Sequence, residues 1–333
     1  FEQYDVMIDR PRPLVPRYLR LPVRERLDRD GRVLVPLDEA TVEAALPLLD
    51  EHGVESVAIG YLHAFTNPRH EQRTAEILQA ARPELSITLA SEVCPEIREF
   101  ERLSTACANA YVRPLMARYL ERLGGELRGL GFACPFLLMT SGGGLTTMET
   151  AAKFPIRLVE SGPAGGAVLA REVARQANLP RVLSFDMGGT TAKLCLVDDF
   201  EPLTSRSFEV DRVYRFKKGS GLPVRIPVIE MVEIGAGGGS LATVDKLRRI
   251  QVGPESAGSE PGPISRAATW VRRLPKSGAR WLRSVAGTTP PRSERGDVEG
   301  RDADPAHRAA TDAVLGGLSV ESVRDTRIAS ISW

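Results

Sequence analysis

Nothing in this sequence approaches the roughly 18–20 consecutive apolar residues that a membrane helix needs, and no secretory signal pattern is visible at its start. Excess charge of either sign is also missing. Lys+Arg total 44 and Asp+Glu 43, a net charge of +1, so there is no general electrostatic case for nucleic acid or an anionic membrane as partner. The four cysteines, Cys94, Cys107, Cys134 and Cys195, stand far apart with no C-x-x-C pair. That excludes the common zinc-ribbon and dithiol patterns and leaves reduced thiols, mostly in the core. Histidines number four, and His63 and His70 around the Phe65–Pro68 turn lack the carboxylate or thiol company of a full metal site; a turn-stabilising role suits them better. No Walker G-x-x-x-x-G-K-[ST] loop is present, and Ser161 lies in no G-x-S-x-G elbow. The expectation from these absences is a soluble cytoplasmic protein. The chain opens on Phe1, so further natural sequence is expected upstream.

What is present is α/β patterning. At 333 residues, 42% hydrophobic and 26% charged, the chain is long enough for two domains. Residues 1–38 are rich in Pro and Arg and read as short strands and connectors. Asp38 is placed to cap a helix carrying Val42, Ala45, Leu46 and Leu49 on one face. The run Val54–Leu62 predicts a buried strand, His70–Ala81 a helix with Ala75, Ile77, Leu78 and Ala81 inward, and Leu85–Leu89 a strand. A long helical region follows Pro95, with a break expected at Pro114 and a weak point at Leu123-Gly124-Gly125. Phe136–Met139, Ile156–Val159 and Val182–Phe185 predict three more strands, each followed by a glycine-rich turn. This alternation argues for a largely parallel sheet covered by helices. After Pro263 the texture changes. Residues 264–333 hold all three tryptophans, no Phe, Tyr or Cys, and many arginines, with a short helical pattern only at Ala309–Leu318. Three readings stand: a flexible tail, a change of coding frame near Pro263, and a basic tail for nucleic acid. The last is weakened by interleaved Asp and Glu.

The sharpest chemical signal is Asp186-Met187-Gly188-Gly189-Thr190-Thr191. Val182–Phe185 runs straight into Asp186, and Ala192–Asp198 is again β-type, so the segment predicts a hairpin tip. Gly188 and Gly189 tolerate positive φ and carry no Cβ, so their amides can close on a phosphate. Thr190 and Thr191 add hydroxyls, and Asp186 at a strand end is placed to hold Mg²⁺ through waters. The plain alternative is a glycine-containing turn, for which Asn-Gly or Asp-Gly would suffice. A second cluster, Gly235-Ala236-Gly237-Gly238-Gly239-Ser240, carries a heavy conformational cost. It is easier to explain if something flat or anionic, such as a base or sugar, approaches its backbone. Glycine turns at 140–144 and 160–166 can equally bind an anion at a helix start or allow tight packing. Glu99 and Arg102 belong to a dense charge run that ordinarily marks a solvated helix face.

The motifs ESGPAGG (160–166), SFDMGGTT (184–191), PVIEMVEIGAGGGS (227–240) and VGPESAGSEPGP (252–263) closely resemble the hydantoinase A/oxoprolinase family. So do GYLHAFTNPRHE (60–71), EVCPEIREFERLST (92–105) and LLMTSGGGL (137–145), in the family's order. The resemblance covers about residues 15–263. It implies an actin-like (ribonuclease H-like), two-lobed α/β ATPase fold with an incomplete first lobe: residues 1–180 as its remainder, 181–263 opening the second lobe, and 264–333 an irregular tail. It implies Mg-ATP as cofactor, with Asp186, Gly188, Gly189, Thr190, Thr191 and Lys193 at the phosphates and Gly235, Gly237, Gly238, Gly239 and Ser240 at the nucleotide. Glu99, Arg102 and Asp186 become catalytic candidates. The implied activity is phosphorylation of a carbonyl or amide oxygen in a cyclic amide, completed by a hydantoinase B-type subunit. Related subunits activate ketones for carboxylation. This chain departs from the pattern in lacking an earlier Asp-x-Gly-Gly-Thr loop and in carrying Ala192-Lys193 where many members have Thr-Asp. Lys193 is left between contact with phosphate or substrate and solvent. From other classes, an actin-fold regulator that only binds ATP, or a non-functional fragment, remains open.

Overall fold

The computed structural model describes residues 4, 6–7, 12–214, 217–258 and 328–332. Contacts divide them into two units. One takes the described residues of Phe1–Leu169, Pro202–Glu230 and Leu318–Trp333; the other takes those of Ala170–Glu201 and Met231–Gly317. Residues 202–230, expected in the second lobe, therefore pack with the first unit. The tail falls outside the described residues apart from Ile328–Ser332.

The first unit is built on a parallel sheet. Its strand order is Arg20–Leu21, Ile328–Ser332, Ser56–Gly60, Ser86–Leu89. All five residues of Ser56–Gly60 are buried, as a strand covered on both faces must be. The helices Arg69–Ala81 and Glu99–Gly129 pack on it. The segment capped by Asp38 splits into Glu39–Glu43 and Leu46–Glu51, with Pro47 in the first turn of the second piece, and still buries Val42, Ala45 and Leu49.

Pro114 does not break the long helix, which runs on through Gly124 to Gly129. A proline deprives the carbonyl four residues back of its donor. That carbonyl belongs to Ala110, and the buried Ser56 hydroxyl donates to it at 2.8 Å from the adjacent strand. The sheet thus replaces the bond the helix loses. Ile156–Val159 is likewise no strand. Pro155–Leu158 forms a 3-10 turn, held by buried Asn109, which accepts from Ile156 N–H and donates to the Lys153 carbonyl.

The helix Arg69–Ala81 turns an unexpected face inward. His70, Glu71, Thr74 and Leu78 are buried, while Ala75 and Ile77 are only partly so. Each polar group there has a partner: His70 Nδ1 lies 2.8 Å from Glu25, Thr74 meets the Tyr61 hydroxyl at 2.8 Å, and Glu71 accepts from Tyr61 N–H and from Ser91 N–H and Oγ. Burial pushes the Glu71 carboxyl up to about 6, the bonds from Ser91 opposing it.

Because this acid is easier to protonate folded than unfolded, its contribution is fully present below about pH 4.5 and is lost as pH rises past 6. The size is about 2 kcal/mol. Glu71→Gln, neutral throughout, should gain that much relative to wild type between pH 4.5 and 6.5 in urea unfolding; parallel pH profiles would refute it. Ser56→Ala strands the Ala110 carbonyl and should lower stability by about 1–3 kcal/mol, with no loss meaning that the helix does not rely on the hydroxyl.

Candidate functional site

In the second unit the expected hairpin forms. Arg181–Met187 pairs antiparallel with Ala192–Asp198, closing at Met187↔Ala192, so Gly188–Thr191 is the tip. Gly188 N–H donates to the Thr191 carbonyl at 2.9 Å. A third strand, Val232–Ile234, pairs with Ala192–Leu194 on the other side and delivers the chain directly into Gly235. The two glycine clusters are thereby brought together. Gly238 N–H donates to Gly188 O at 2.9 Å, and Gly239 N–H to Gly189 O at 2.7 Å. Ser240 Oγ accepts from Gly237 N–H at 2.8 Å and tightens the second loop.

A Cβ on Gly237 would lie 2.5 Å from Gly188 O and 2.7 Å from Thr190 N, so the hairpin tip by itself requires glycine there. Gly188 and Gly189 are not at positive φ. A Cβ on Gly189 would meet no atom within 4 Å, so neither conformation nor packing within the chain demands glycine there.

The side chains form a charged row across three strands. Asp186 stands opposite Lys193, and Lys193 opposite Glu233. The Lys193 ammonium is 3.7 Å from the Glu233 carboxylate and its side chain is 15% exposed, so it lies along the sheet rather than projecting to solvent. Glu233 escaped the sequence reading, because only strand register reveals it. Asp186 and Thr190 are exposed and Thr191 is half-buried. Among the described residues no cluster of three or more His, Cys, Asp or Glu could cage a metal. Asp186 alone suits Mg²⁺, which commonly takes one or two carboxylates and keeps waters and phosphate oxygens as its other ligands.

The other candidates lie in the first unit. Arg102 is no cleft residue and no solvated one. It is fully buried, donating to Glu96 O at 2.8 Å and Tyr61 O at 2.9 Å, with its guanidinium 5.2 Å from the Phe65 ring centroid. Glu99 starts the long helix, partly exposed and 3.9 Å from Arg102. The 140–144 turn joins two strands, Leu137–Met139 and Leu145–Thr147, so it is a hairpin tip rather than a helix start. The 160–166 segment does open a helix, Ser161–Gln176.

A parallel α/β unit and an antiparallel unit with a Gly-Gly-Thr-Thr tip define an α/β protein of the actin-like class. The chain belongs to the hydantoinase/oxoprolinase family. The hydantoinase/oxoprolinase family model matches residues 102–270, and the model of that family's N-terminal region matches residues 1–81. An uncharacterized protein of Methanocaldococcus jannaschii is 38% identical over 78% of this chain and 39% of its own. Caprolactamase subunit alpha of Pseudomonas jessenii is 36% identical over 79% and 36%. The crystal structure of the ATP-dependent caprolactamase from that organism superposes with TM-score 0.63 at 35% identity, covering 79% of this chain and 37% of that one. The acetophenone carboxylase gamma subunit of Aromatoleum aromaticum is 33% identical over 77% and 34%. The chain thus spans between a third and two-fifths of the length of these relatives. Among the described residues no helix is long and apolar enough to cross a membrane.

Gly237→Ala places a methyl group against immobile backbone and should part the two loops. We expect a loss of about 1–3 kcal/mol and faster hydrogen exchange at the Gly238 and Gly239 amides. Unchanged exchange would mean that the loops do not depend on each other.

Proposed function

We propose that this chain is the phosphate-binding portion of a subunit that uses Mg-ATP to phosphorylate the carbonyl oxygen of a cyclic amide, preparing the ring for hydrolysis. The observation that carries the reading is Gly189: a glycine at the tip of a hairpin braced from behind, with open space where its side chain would be. Bracing by the Gly237–Gly239 backbone holds the tip in one shape, which is what phosphate positioning requires. The Asp186 carboxylate, with no side-chain hydrogen bond or ion pair among the described residues, would hold Mg²⁺ through waters, and Thr190 and Thr191 would donate to phosphate oxygens. Lys193, held against Glu233, adds a positive charge beside Asp186.

The chemical logic is direct. An amide carbonyl is a poor electrophile, and phosphorylating its oxygen supplies a leaving group. Mg²⁺ at the phosphates would neutralise their charge. The chain's part is to position and neutralise the phosphates rather than to form covalent bonds. Ring opening would fall to a hydantoinase B-type partner, in keeping with relatives named as subunits. The identity to a ketone carboxylase subunit supports a second reading, in which a ketone oxygen is activated instead.

Calorimetry with Mg-ATP tests the nucleotide reading. Gly189→Val should leave the melting temperature essentially unchanged, since nothing in the chain fills that space, yet weaken binding at least about tenfold; Asp186→Asn should abolish the Mg²⁺ dependence. Equal binding by Gly189→Val would end the proposal. ADP release with the B-type partner and hydantoin, oxoproline, caprolactam or acetophenone then separates amide from ketone chemistry; an ATP-binding regulator would release ADP with none of them.

A further inference from the structure

The first unit carries a half-open cavity of about 420 Å³ that the nucleotide reading leaves unused. Three of the motifs converge on it: the turn after Val93, the hairpin around Gly142, and the connector Arg225-Ile226-Pro227 between two short strands, with Phe154 and Arg157 closing the remaining side. Its charged groups are Glu96, Arg157 and Arg225. Arg225 is committed: Nε lies 3.0 Å from Glu96 Oε2, and Nη1 donates to Ile97 O at 3.0 Å. Arg157 is not. Its guanidinium sits 4.9 Å from the Phe154 ring centroid and makes one long bond, 3.3 Å, to the Val93 carbonyl. Among the described residues no carboxylate pairs with it. The buried Cys94 thiol has its pKa raised by burial, so it adds no negative charge to the lining.

The backbone beneath Arg157 is unusually well fixed. Its carbonyl accepts both the N–H and the hydroxyl of Ser141, at 2.8 and 2.7 Å, and the same hydroxyl reaches Val159 O. Ser141 is 1% exposed, so these bonds are shielded from water. From the other side Asn109 holds Lys153 and Ile156. A guanidinium anchored this way, stacked on an aromatic ring and lacking a counter-ion, is arranged to receive a planar two-oxygen anion. A multiply charged phosphate would want more than one uncommitted cation. The walls from Val93, Ala151, Phe154 and Ile226 suit an apolar body.

We propose that this cavity binds a compact monocarboxylate, its carboxylate on Arg157 and its apolar body against Phe154 and Ile226. The proposal stands apart from the nucleotide reading, because it concerns the first unit alone and is tested without ATP. The full chain is titrated by calorimetry with sodium benzoate and, in parallel, with benzamide, which has the same ring and nearly the same shape but no charge. Benzoate should bind at least about tenfold more tightly. Arg157→Gln should remove that preference, leaving the two probes within about twofold. Arg157→Lys keeps the charge without the fork and should weaken benzoate about three- to tenfold. Absence of saturable benzoate binding, equal affinity for both probes, or unchanged benzoate affinity in Arg157→Gln each overturns the proposal. If Arg157→Gln loses its cooperative melt, Arg157→Lys decides, and wild-type benzoate affinity in that variant is the overturning result.

Discussion

Burial of one guanidinium organises the first unit. Arg102 is wholly removed from water, which costs several kcal/mol unless its charge is shared out. It is shared between the carbonyls of Tyr61 and Glu96, the face of Phe65 and, more distantly, the Glu99 and Glu71 carboxylates. One nitrogen, Nε, is left without a partner. Tyr61 follows the central strand directly and Glu96 lies in the turn before the long helix, so the single side chain fixes where strand, turn and helix meet. The placement of Glu96 opposite Arg225, and hence the rim of the cavity, follows from that junction.

The second unit solves a different problem with backbone alone. Two glycine-rich loops are pressed together until carbonyls of one accept amides of the other, an approach no residue with a Cβ at 237 permits. The outcome is a hairpin tip whose shape is set from behind and whose front, at Gly189, is bare. Rigidity and access are thereby divided between the two clusters, which looked alike as strings of glycines.

Much of this was legible in the sequence. The Asp186 hairpin, the buried strand at 56–60 and the helix near 70–81 follow from residue type and period. Three features were not. Pro114 reads as a break because the donor that rescues Ala110, the Ser56 hydroxyl, is 54 residues away. Ile156–Val159 reads as a strand because three of its four residues are aliphatic, two of them β-branched, whereas Pro155 and the distant Asn109 impose a turn. Arg102 reads as surface because arginine usually is, and nothing local reveals that two carbonyls await it.

The sequence by itself determined the family, the two glycine loops and the hairpin between Asp186 and Lys193, since these rest on local residue type and order. Tertiary structure decided which glycines serve the chain and which are left open, which charges are buried, and that Lys193 faces Glu233 across a strand. Those outcomes depend on contacts between segments distant in the chain, which local residue type and order do not specify.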